Sequence, residues 1–207
     1  MEEAYEAKFI NDALEYTIRN ISDNKRFWMV RTKKGFFFDE FIDNNYVALG
    51  WNTITQENDF GKSQEEVLKE SIKNWYGDSR PAGAINKCKS FIYDIHVGDY
   101  ILIPNSGSEK IAIARAGEYY EDEKKGVKDE LDVIPKIDND EKEIIKVKCP
   151  YRKRRHIEVL KIISPALMSY NLRQAISNYH GLSNLDKYGE YILNCLYDCY
   201  IYKDNYK

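Results

Sequence analysis

Two apolar runs separated by a short polar turn constrain the fold of this chain more than any other feature. The runs cover residues 100–104 and 110–117, and Asn105, Ser106, Gly107 and Ser108 stand between them. Glycine supplies positive φ at no steric cost, and Asn and Ser side chains bond to nearby backbone, so this composition favours a turn. The pattern predicts an antiparallel hairpin, and the protein must therefore contain a β-sheet.

Further apolar segments predict the other strands of this sheet. Residues 27–31 (FWMVR) and 46–51 (YVALGW) are rich in aromatic and branched side chains, and residues 144–149 and 156–163 resume strand character. We expect the segment at 27–31 to be a central strand. Between the strands, the highly charged residues 118–143 predict a solvated loop.

Apolar residues at helical spacing predict helices at residues 2–21, 63–75, 81–95 and 182–201. Ser63 and Glu66 have the spacing of a capping box, in which each side chain accepts a backbone N–H of the first turn. Pro81 suits the first position of a helix. Short helical turns are expected at residues 40–44, capped by Asp39, and after Ser164.

The order of these elements predicts an α+β fold. We expect a small, twisted, barrel-like sheet, closed or half-closed and flanked by helices, with a helix at each terminus. The length of 207 residues fits one domain. The expected division is an N-terminal helix at residues 1–23, the sheet domain at 24–163, and a C-terminal helical appendage packed on that domain at 164–207.

Composition and charge exclude several classes of protein. Hydrophobic residues at 43% and aromatic residues at 14% supply an ordinary packed core, which excludes global disorder. The net charge of −3 gives no overall positive field to gather duplex DNA, so any nucleic-acid contact must be local. No apolar run approaches the ~20 residues of a membrane helix, and the acidic N-terminus is unlike a secretory signal. We expect a cytoplasmic protein with no membrane partner.

Sequence motifs of the common enzymes are missing. The chain has no G-x-S-x-G elbow, no phosphate-binding glycine loop, no H-E-x-x-H and no paired-carboxylate nuclease core. The three histidines are expected to be structural or at the surface. The four cysteines form no C-x-x-C pair and are expected to be reduced and structural. We therefore expect no enzyme, no cofactor and no metal.

Aromatic, basic and amide residues at strand ends and turns are the strongest candidates for a binding site. Trp28 and Arg31 lie on the first predicted strand of the sheet, and Gly50 and Trp51 close the second. Asn86 lies in the helix that Pro81 begins, and Pro104, Asn105 and Ser106 form the hairpin turn. The Gly98-Asp99 pair is expected to be only a turn into a strand.

In this order and spacing, these residues resemble the PUA-like superfamily. The closest resemblance is to the modified-base readers called EVE and YTH-like domains and to the N-terminal domain of Mrr-type restriction proteins. The resembling stretches are FWMVRTKKGFFFDEFIDNNYVALGW, AINKCKSFIYDIHVGDYILIPNSGSEKIAIARAGEYY and, more weakly, RRHIEVLKIIS. The resemblance implies a barrel-like sheet with an aromatic pocket between the first strand, the loop after the second and the turn after the Gly-Asp strand.

The resemblance implies a base or a small ligand in that pocket. The matching aromatic walls are Trp28 and Trp51, with Trp75 or Tyr76 as further candidates, and stacking is worth ~1–3 kcal/mol per base. Asn86, Asn105 and Ser106 are candidates to bond a base edge, beside Gly50 and Pro104 at the pocket. Arg31 and a second group of basic residues are candidates to meet phosphates; that group is Arg80, Arg152, Lys153, Arg154 and Arg155.

Each of these residues also has a purely structural interpretation. Trp28 fits a core position, and Trp51 fits a plug at the end of the sheet. The basic run at 152–155 fits a solvated strand edge. Asn86 stands at a helix position that faces either a pocket or water.

Three functions follow as hypotheses. The leading one is a non-enzymatic module that captures a modified or flipped nucleobase of nucleic acid, as the sensor of a restriction or defence system. The alternative is a sensor of a small nucleotide or related metabolite, which signals to an effector domain or partner protein. The third is a hydrolase of nucleic acid or nucleotides that uses Asp39, Glu40 and Lys33, although a helix start favours carboxylates in any case.

Overall fold

The computed structural model describes residues 19–22, 24–58, 60–77, 80–126, 148–178, 181–197 and 200–203. Within them lie eight strands: β1 Arg19–Ser22, β2 Phe27–Arg31, β3 Tyr46–Leu49, β4 Tyr100–Pro104, β5 Ile111–Glu121, β6 Lys153–Ile163, β7 Gly181–Asn184 and β8 Tyr200–Lys203. The α-helices are α1 Phe38–Asp43, α2 Lys62–Tyr76, α3 Pro81–Lys89, α4 Tyr170–Asn178 and α5 Gly189–Leu196. A π-helical turn, Ser90–Asp94, extends α3.

Six strands form one sheet in the order β3-β6-β5-β4-β2-β7, curled into a half-barrel. The β2–β4 pair is parallel, and its neighbours in the sheet pair antiparallel. Two irregularities in the β5–β6 register lie between Ile113 and Ala114 and between Ala116 and Tyr119. Such bulges bend and twist a strand pair, which accounts for the curl. Strands β1 and β8 pair parallel in a separate two-stranded sheet.

Both faces of the half-barrel are buried. In β2, Trp28 and Val30 belong to a core shared with α1, α2 and α3, whereas Phe27 and Met29 belong to a second core shared with α4 and α5. This alternation follows from the period of two along a strand. Burial on both faces explains why the central strands are continuous apolar runs in the sequence.

A buried carboxylate joins β2 to the turn that precedes β4. Asp99 is 1% exposed, and its carboxylate accepts the backbone N–H of Arg26 at 3.1 Å and of His96 at 2.9 Å. It also accepts the indole Nε1–H of Trp28 at 3.1 Å, and the Arg26 guanidinium lies 4.6 Å above that ring. Asp99 therefore fixes the orientation of Trp28, a role that the sequence did not reveal.

The structure confirms the α+β class and the hairpin, with strands at both of its predicted runs. The strands predicted at 27–31, 46–51 and 156–163 are present, the second ending at Leu49 and the third beginning at Lys153. Residues 118–121 of the predicted loop belong to β5, and Lys148 and Cys149 of the strand predicted at 144–149 lie in no strand. The rest of that predicted strand and most of the loop lie outside the described residues, as does most of the helix at 2–21. Of the latter, residues 19–21 lie in β1, not in a helix.

One helix prediction is confirmed and another is wrong. The helix predicted at 63–75 is present as α2, which begins one residue earlier with Gly61 at the cap and ends at Tyr76. The side chain of Ser63 lies outside the described part of the chain, so the capping box stays a prediction. The helix predicted at 182–201 is replaced by β7, a 3-10 turn, α5 and β8. Because β7 pairs with β2, the segment expected to be a helical appendage supplies an edge strand of the sheet.

Within the part of the chain that the structure describes, no helix combines the length and the apolar character needed to cross a bilayer.

Asp99→Asn is expected to lower the free energy of unfolding by about 2–4 kcal/mol, because the amide places a donor against N–H groups that need an acceptor and removes bonds to a charged group. Urea denaturation followed by circular dichroism measures the change. Asp43→Asn, at the exposed end of α1, is the matched control and should change stability by less than about 0.5 kcal/mol. Equal stability of both variants would contradict the role given to Asp99.

Candidate functional site

A concavity lies at one end of the half-barrel, where β2 and β3 end and β7 begins, and we call it the large cavity. Its volume is about 420 Å³, within the range of about 300–1,000 Å³ typical of ligand sites. Its cationic lining residues are Arg31, Lys33, Lys34 and Lys87. Its aromatic lining residues are Trp51, Tyr76 and Tyr151, and the remainder of the wall is Thr32, Leu49, Gly50 and Gly181. No carboxylate is among these described lining residues.

The turn after β2 holds two of the cations in a strained conformation. Lys33 and Lys34 both have left-handed backbone angles, with φ of 49° and 57°, and such residues cost of order 1–3 kcal/mol each. Gly35 continues the turn at φ 84°, and a Cβ there would lie 2.5 Å from the backbone carbon of Asn105. The turn is therefore wedged against the β4–β5 hairpin, which holds both lysines at the cavity.

The loop after β3 is held in place from beneath by a buried lysine. Lys153 is fully buried, and its Nζ donates to the carbonyl oxygens of Trp51 at 2.6 Å and Ile54 at 2.7 Å. Asn52, also fully buried, donates to Gly126 and Pro150 and accepts the backbone N–H of Arg152 at 2.9 Å. Trp51 itself has a left-handed φ of 57°. The half-buried Trp51 is thus placed by a loop that Lys153 and Asn52 anchor to the start of β6.

The two tyrosines of the large cavity are also positioned by contacts. The hydroxyl oxygen of Tyr76, at the end of α2, accepts the backbone N–H of Thr53 at 3.4 Å. Tyr151 is buried, and its ring meets that of Phe37 edge to face at 5.7 Å between centroids. The aromatic wall is therefore built largely before any ligand arrives.

Arg31 ends β2 at the cavity and has hydrogen-bonding capacity left over. Its Nη1 donates to the carbonyl oxygen of Ile176 at 3.3 Å. Its Nε is buried and has no acceptor among the described residues. An unsatisfied buried donor costs about 1–3 kcal/mol, and the rest of the structure must offset this cost.

A second concavity, which we call the small cavity, lies next to the first and has a volume of about 250 Å³. Lys87 lines both cavities. The other lining residues of the small cavity come from the β2 region, from α3 with its π-helical turn, and from β7: Arg26, Trp28, Asn86, Ser90, Asp94, Leu182, Ser183 and Asn184.

The structure separates the residues predicted to share one pocket. Arg31, Gly50 and Trp51 line the large cavity, whereas Trp28 and Asn86 line the small one. The prediction that both indoles face a single cavity is wrong, because Trp28 is 3% exposed, packs in the core and gives its N–H to Asp99. The side chain of Trp75 lies outside the described residues.

The hairpin turn between β4 and β5 packs behind the wall of the large cavity and supports the turn after β2. Pro104 is buried, and Asn105 uses its side-chain oxygen to accept the backbone N–H of Lys110 at 3.0 Å. Ser106 is exposed in the same turn. Through Gly35, this turn braces the two strained lysines rather than forming the wall itself.

The basic run at 152–155, predicted to meet phosphates, is largely engaged within the protein. Lys153 and Arg155 are 0% and 2% exposed, and Arg155 donates to the carbonyl oxygens of Gly117, Phe91 and Ile92. Burial lowers the pKa of Arg155. Arg152 and Arg154 pair with Glu121 at 3.6 Å and Asp122 at 3.2 Å. These side chains fill the inside and rim of the barrel, so a phosphate finds little free charge there. Arg80 is exposed just before α3.

The carboxylates of the hydrolase hypothesis do not converge on the large cavity. Glu40 accepts the hydroxyl of Tyr46 and the backbone N–H of Cys149, the latter at 2.7 Å. Asp39 is exposed on α1. Among the described residues, no group of His, Cys, Asp and Glu has the arrangement of a metal site. Burial raises the pKa of Cys149 to about 12, so its thiol stays protonated at neutral pH.

Sequence reasoning missed Lys34, Lys87 and Tyr151 as lining residues. Lys34 could have been predicted, because the Lys-Lys-Gly sequence one residue after β2 indicates a tight turn at the end of that strand. Lys87 and Tyr151 carry no such signal, since their positions depend on how α3 and the start of β6 pack around the barrel end.

The family model described as Domain of unknown function (DUF8426) matches residues 28–149, more than half of the 207 residues. All four cationic lining residues of the large cavity lie in the matched part. No curated protein and no solved structure matches the chain.

Lys153→Met is expected to lower the free energy of unfolding by about 2–5 kcal/mol, because two buried carbonyl oxygens lose their donor. Trp51 should gain mobility, measured as increased quenching of tryptophan fluorescence by acrylamide. Lys89→Met, on the exposed side of α3, is the control and should change neither quantity appreciably. Unchanged stability and quenching in Lys153→Met would contradict the role of Lys153 in holding the loop after β3.

Proposed function

The chain belongs to the family described as Domain of unknown function (DUF8426), and because that description gives no activity, we propose a function from the large cavity. The proposal is a non-enzymatic binding module that takes up one nucleobase of a nucleic acid, flipped or modified, together with its phosphate. The observation that carries it is the combination of four cationic and three aromatic lining residues in about 420 Å³.

The two kinds of side chain match the two parts of a nucleotide. Trp51, Tyr76 and Tyr151 offer faces and edges that replace the stacking a base loses when it leaves a strand, worth ~1–3 kcal/mol per base. Extrusion of a base costs a few kcal/mol. Arg31, Lys33, Lys34 and Lys87 supply positive charge for phosphate. Because no carboxylate lies among the described lining residues, this local field is uncompensated within the wall.

The rigidity of the wall supports binding. Side chains that are already ordered lose little freedom when a ligand arrives, and this preserves affinity. Lys153 holds the carbonyl oxygen of Trp51, and Gly35 wedges the strained lysines. Backbone strain concentrated at one cavity is typical of functional sites.

A preference for a modified base has a physical basis in the same wall. Leu49 and the aromatic rings form an apolar surface beside the cations. A methyl group on the base would bury apolar area there at about 25 cal/mol per Å². No bond-making group is needed for this discrimination.

A sensor of a free nucleotide is the second candidate. Four cations around one cavity exceed what the single phosphate of one nucleotide in a polymer requires, and this favours a mononucleotide that carries several phosphates. An effector domain or partner protein would receive the signal in that case.

Under either candidate, we propose that the half-barrel is a PUA-like sheet, as the resemblance of its first strands suggests. A role as the sensor of a restriction or defence system and a cytoplasmic location belong to the same proposal. They rest on that resemblance and on the expected nucleic-acid partner.

Trp51→Ala is expected to weaken binding of a methylated oligonucleotide by about 5- to 150-fold, the equivalent of one stacking contact. Fluorescence anisotropy with methylated and plain labelled oligonucleotides, and competition with free mononucleotides and triphosphates, measures affinity and ligand class together. Tyr191→Ala, at an exposed aromatic on α5, is the control and should bind as the wild type does. Equal, weak binding by all three proteins would remove the proposal, and tighter binding of triphosphates would favour the second candidate.

Changing Lys33 and Lys34 together to Gln is expected to weaken binding across all sequences. The slope of log K against log salt should fall by about 0.7–0.9 for each phosphate that the variant no longer neutralises. Gln keeps the left-handed backbone no worse than Lys does, so the turn is preserved. The double variant of Lys89 and Lys124 to Gln, both exposed, is the matched control. An identical salt slope in the two double variants would show that the turn meets no phosphate.

A further inference from the structure

The small cavity shares Lys87 with the large cavity but has a different chemistry. We propose that it reads the base of the neighbouring nucleotide, so that the ligand is at least a dinucleotide. This inference rests on the proposed function of the large cavity, and it adds a second subsite that selects sequence context.

Lys87 is placed to meet the group that links two nucleotides. Its aliphatic stem and ammonium pass over Gly181, where an added Cβ would lie 3.4 Å from both Cδ and Nζ. Gly181 has φ of 73°, a conformation that favours glycine. A lysine that lines both cavities from this position is placed to bond an anionic group that lies between them. A phosphodiester between two bases supplies that group.

The small cavity favours a base edge over a second phosphate, because its Arg26 is already paired with Asp186 and its Lys87 is shared with the large cavity. Its wall contains the carboxylate of Asp94, which repels phosphate but accepts N–H donors of a base edge, such as the amino group of cytosine or guanine. No hydrogen bond or ion pair to that carboxylate occurs among the described residues. Asn86 is exposed beside it and both donates and accepts.

The same cavity offers a stacking surface made of two layers. The Arg26 guanidinium lies 4.6 Å above the Trp28 ring, and its side chain is 40% exposed. Asp186 holds this guanidinium through Nε at 3.2 Å. Guanidinium planes stack with unpaired bases, so the outer face of Arg26 provides a platform next to the Asp94 carboxylate.

The test compares mononucleotides with dinucleotides in which the neighbouring base is varied among all four, in ribose and deoxyribose forms. Isothermal titration calorimetry with the full chain gives the affinities. The wild type is expected to bind dinucleotides whose neighbouring base carries an amino group (cytosine, guanine or adenine) about 5- to 150-fold more tightly than those with uracil or thymine. Asp94→Asn should abolish this preference and leave mononucleotide affinity unchanged, and Asn86→Ala should reduce the preference.

Asp43→Asn, a carboxylate on α1 outside both cavities, is the matched control and should keep the preference. Thermal melting verifies that each variant folds. Equal affinity for mononucleotides and dinucleotides, or an unchanged preference in Asp94→Asn, would overturn the second subsite and leave the large cavity standing. Absence of any nucleotide or oligonucleotide binding by the wild type would instead overturn the proposed function and this inference together.

Discussion

The buried ammonium of Lys153 is the interaction on which the candidate site depends. It joins β6 to the loop after β3 through the carbonyl oxygens of Trp51 and Ile54. A charge taken out of water is costly unless polar groups replace its hydration, and carbonyl oxygens do so here. In return, the loop cannot move without exposing an unsatisfied cation, so the left-handed residue Trp51 is held at the cavity. Stability and site geometry are therefore coupled through one side chain.

Arg155 repeats this device two residues further along β6. It bonds to the carbonyl oxygens of Gly117, Phe91 and Ile92 and so ties the π-helical turn to the barrel. Asp99 is a buried charge of the opposite sign, and its carboxylate accepts hydrogen bonds from three N–H donors around Trp28. Buried charges of both signs thus act as connectors between segments. The cations of the turn after β2, by contrast, are exposed at the large cavity.

The parts of the fold that were predictable are those whose burial is local. The first hairpin strand and residues 27–30 of β2 are apolar or aromatic throughout, so their composition alone predicts them. Strand β7 was not predictable, because an edge strand reading Gly-Leu-Ser-Asn has one apolar residue and owes its existence to pairing with β2. The sequence could, however, have predicted that the side chains of Lys153 and Arg155 point into the barrel. Side chains alternate along a strand, so Lys153 and Arg155 lie on the same inner face as the buried Ile157. The prediction was wrong because basic residues were expected to face water.

The placement of charge makes the proposed recognition of an anion compatible with a net charge of −3. Screening in salt limits a surface charge to about 8 Å, so the overall sign matters less than what lines a concave site. The large cavity gathers Arg31, Lys33, Lys34 and Lys87, whereas the small one sets Asp94 against Arg26. A ligand with a phosphate at one point and neutral N–H donors at the next meets complementary charge in both. Because that pattern is the chemical repeat of a nucleic acid strand, the second subsite that we propose favours a polymer, whereas the four cations of the large cavity taken alone also suit a free polyphosphate.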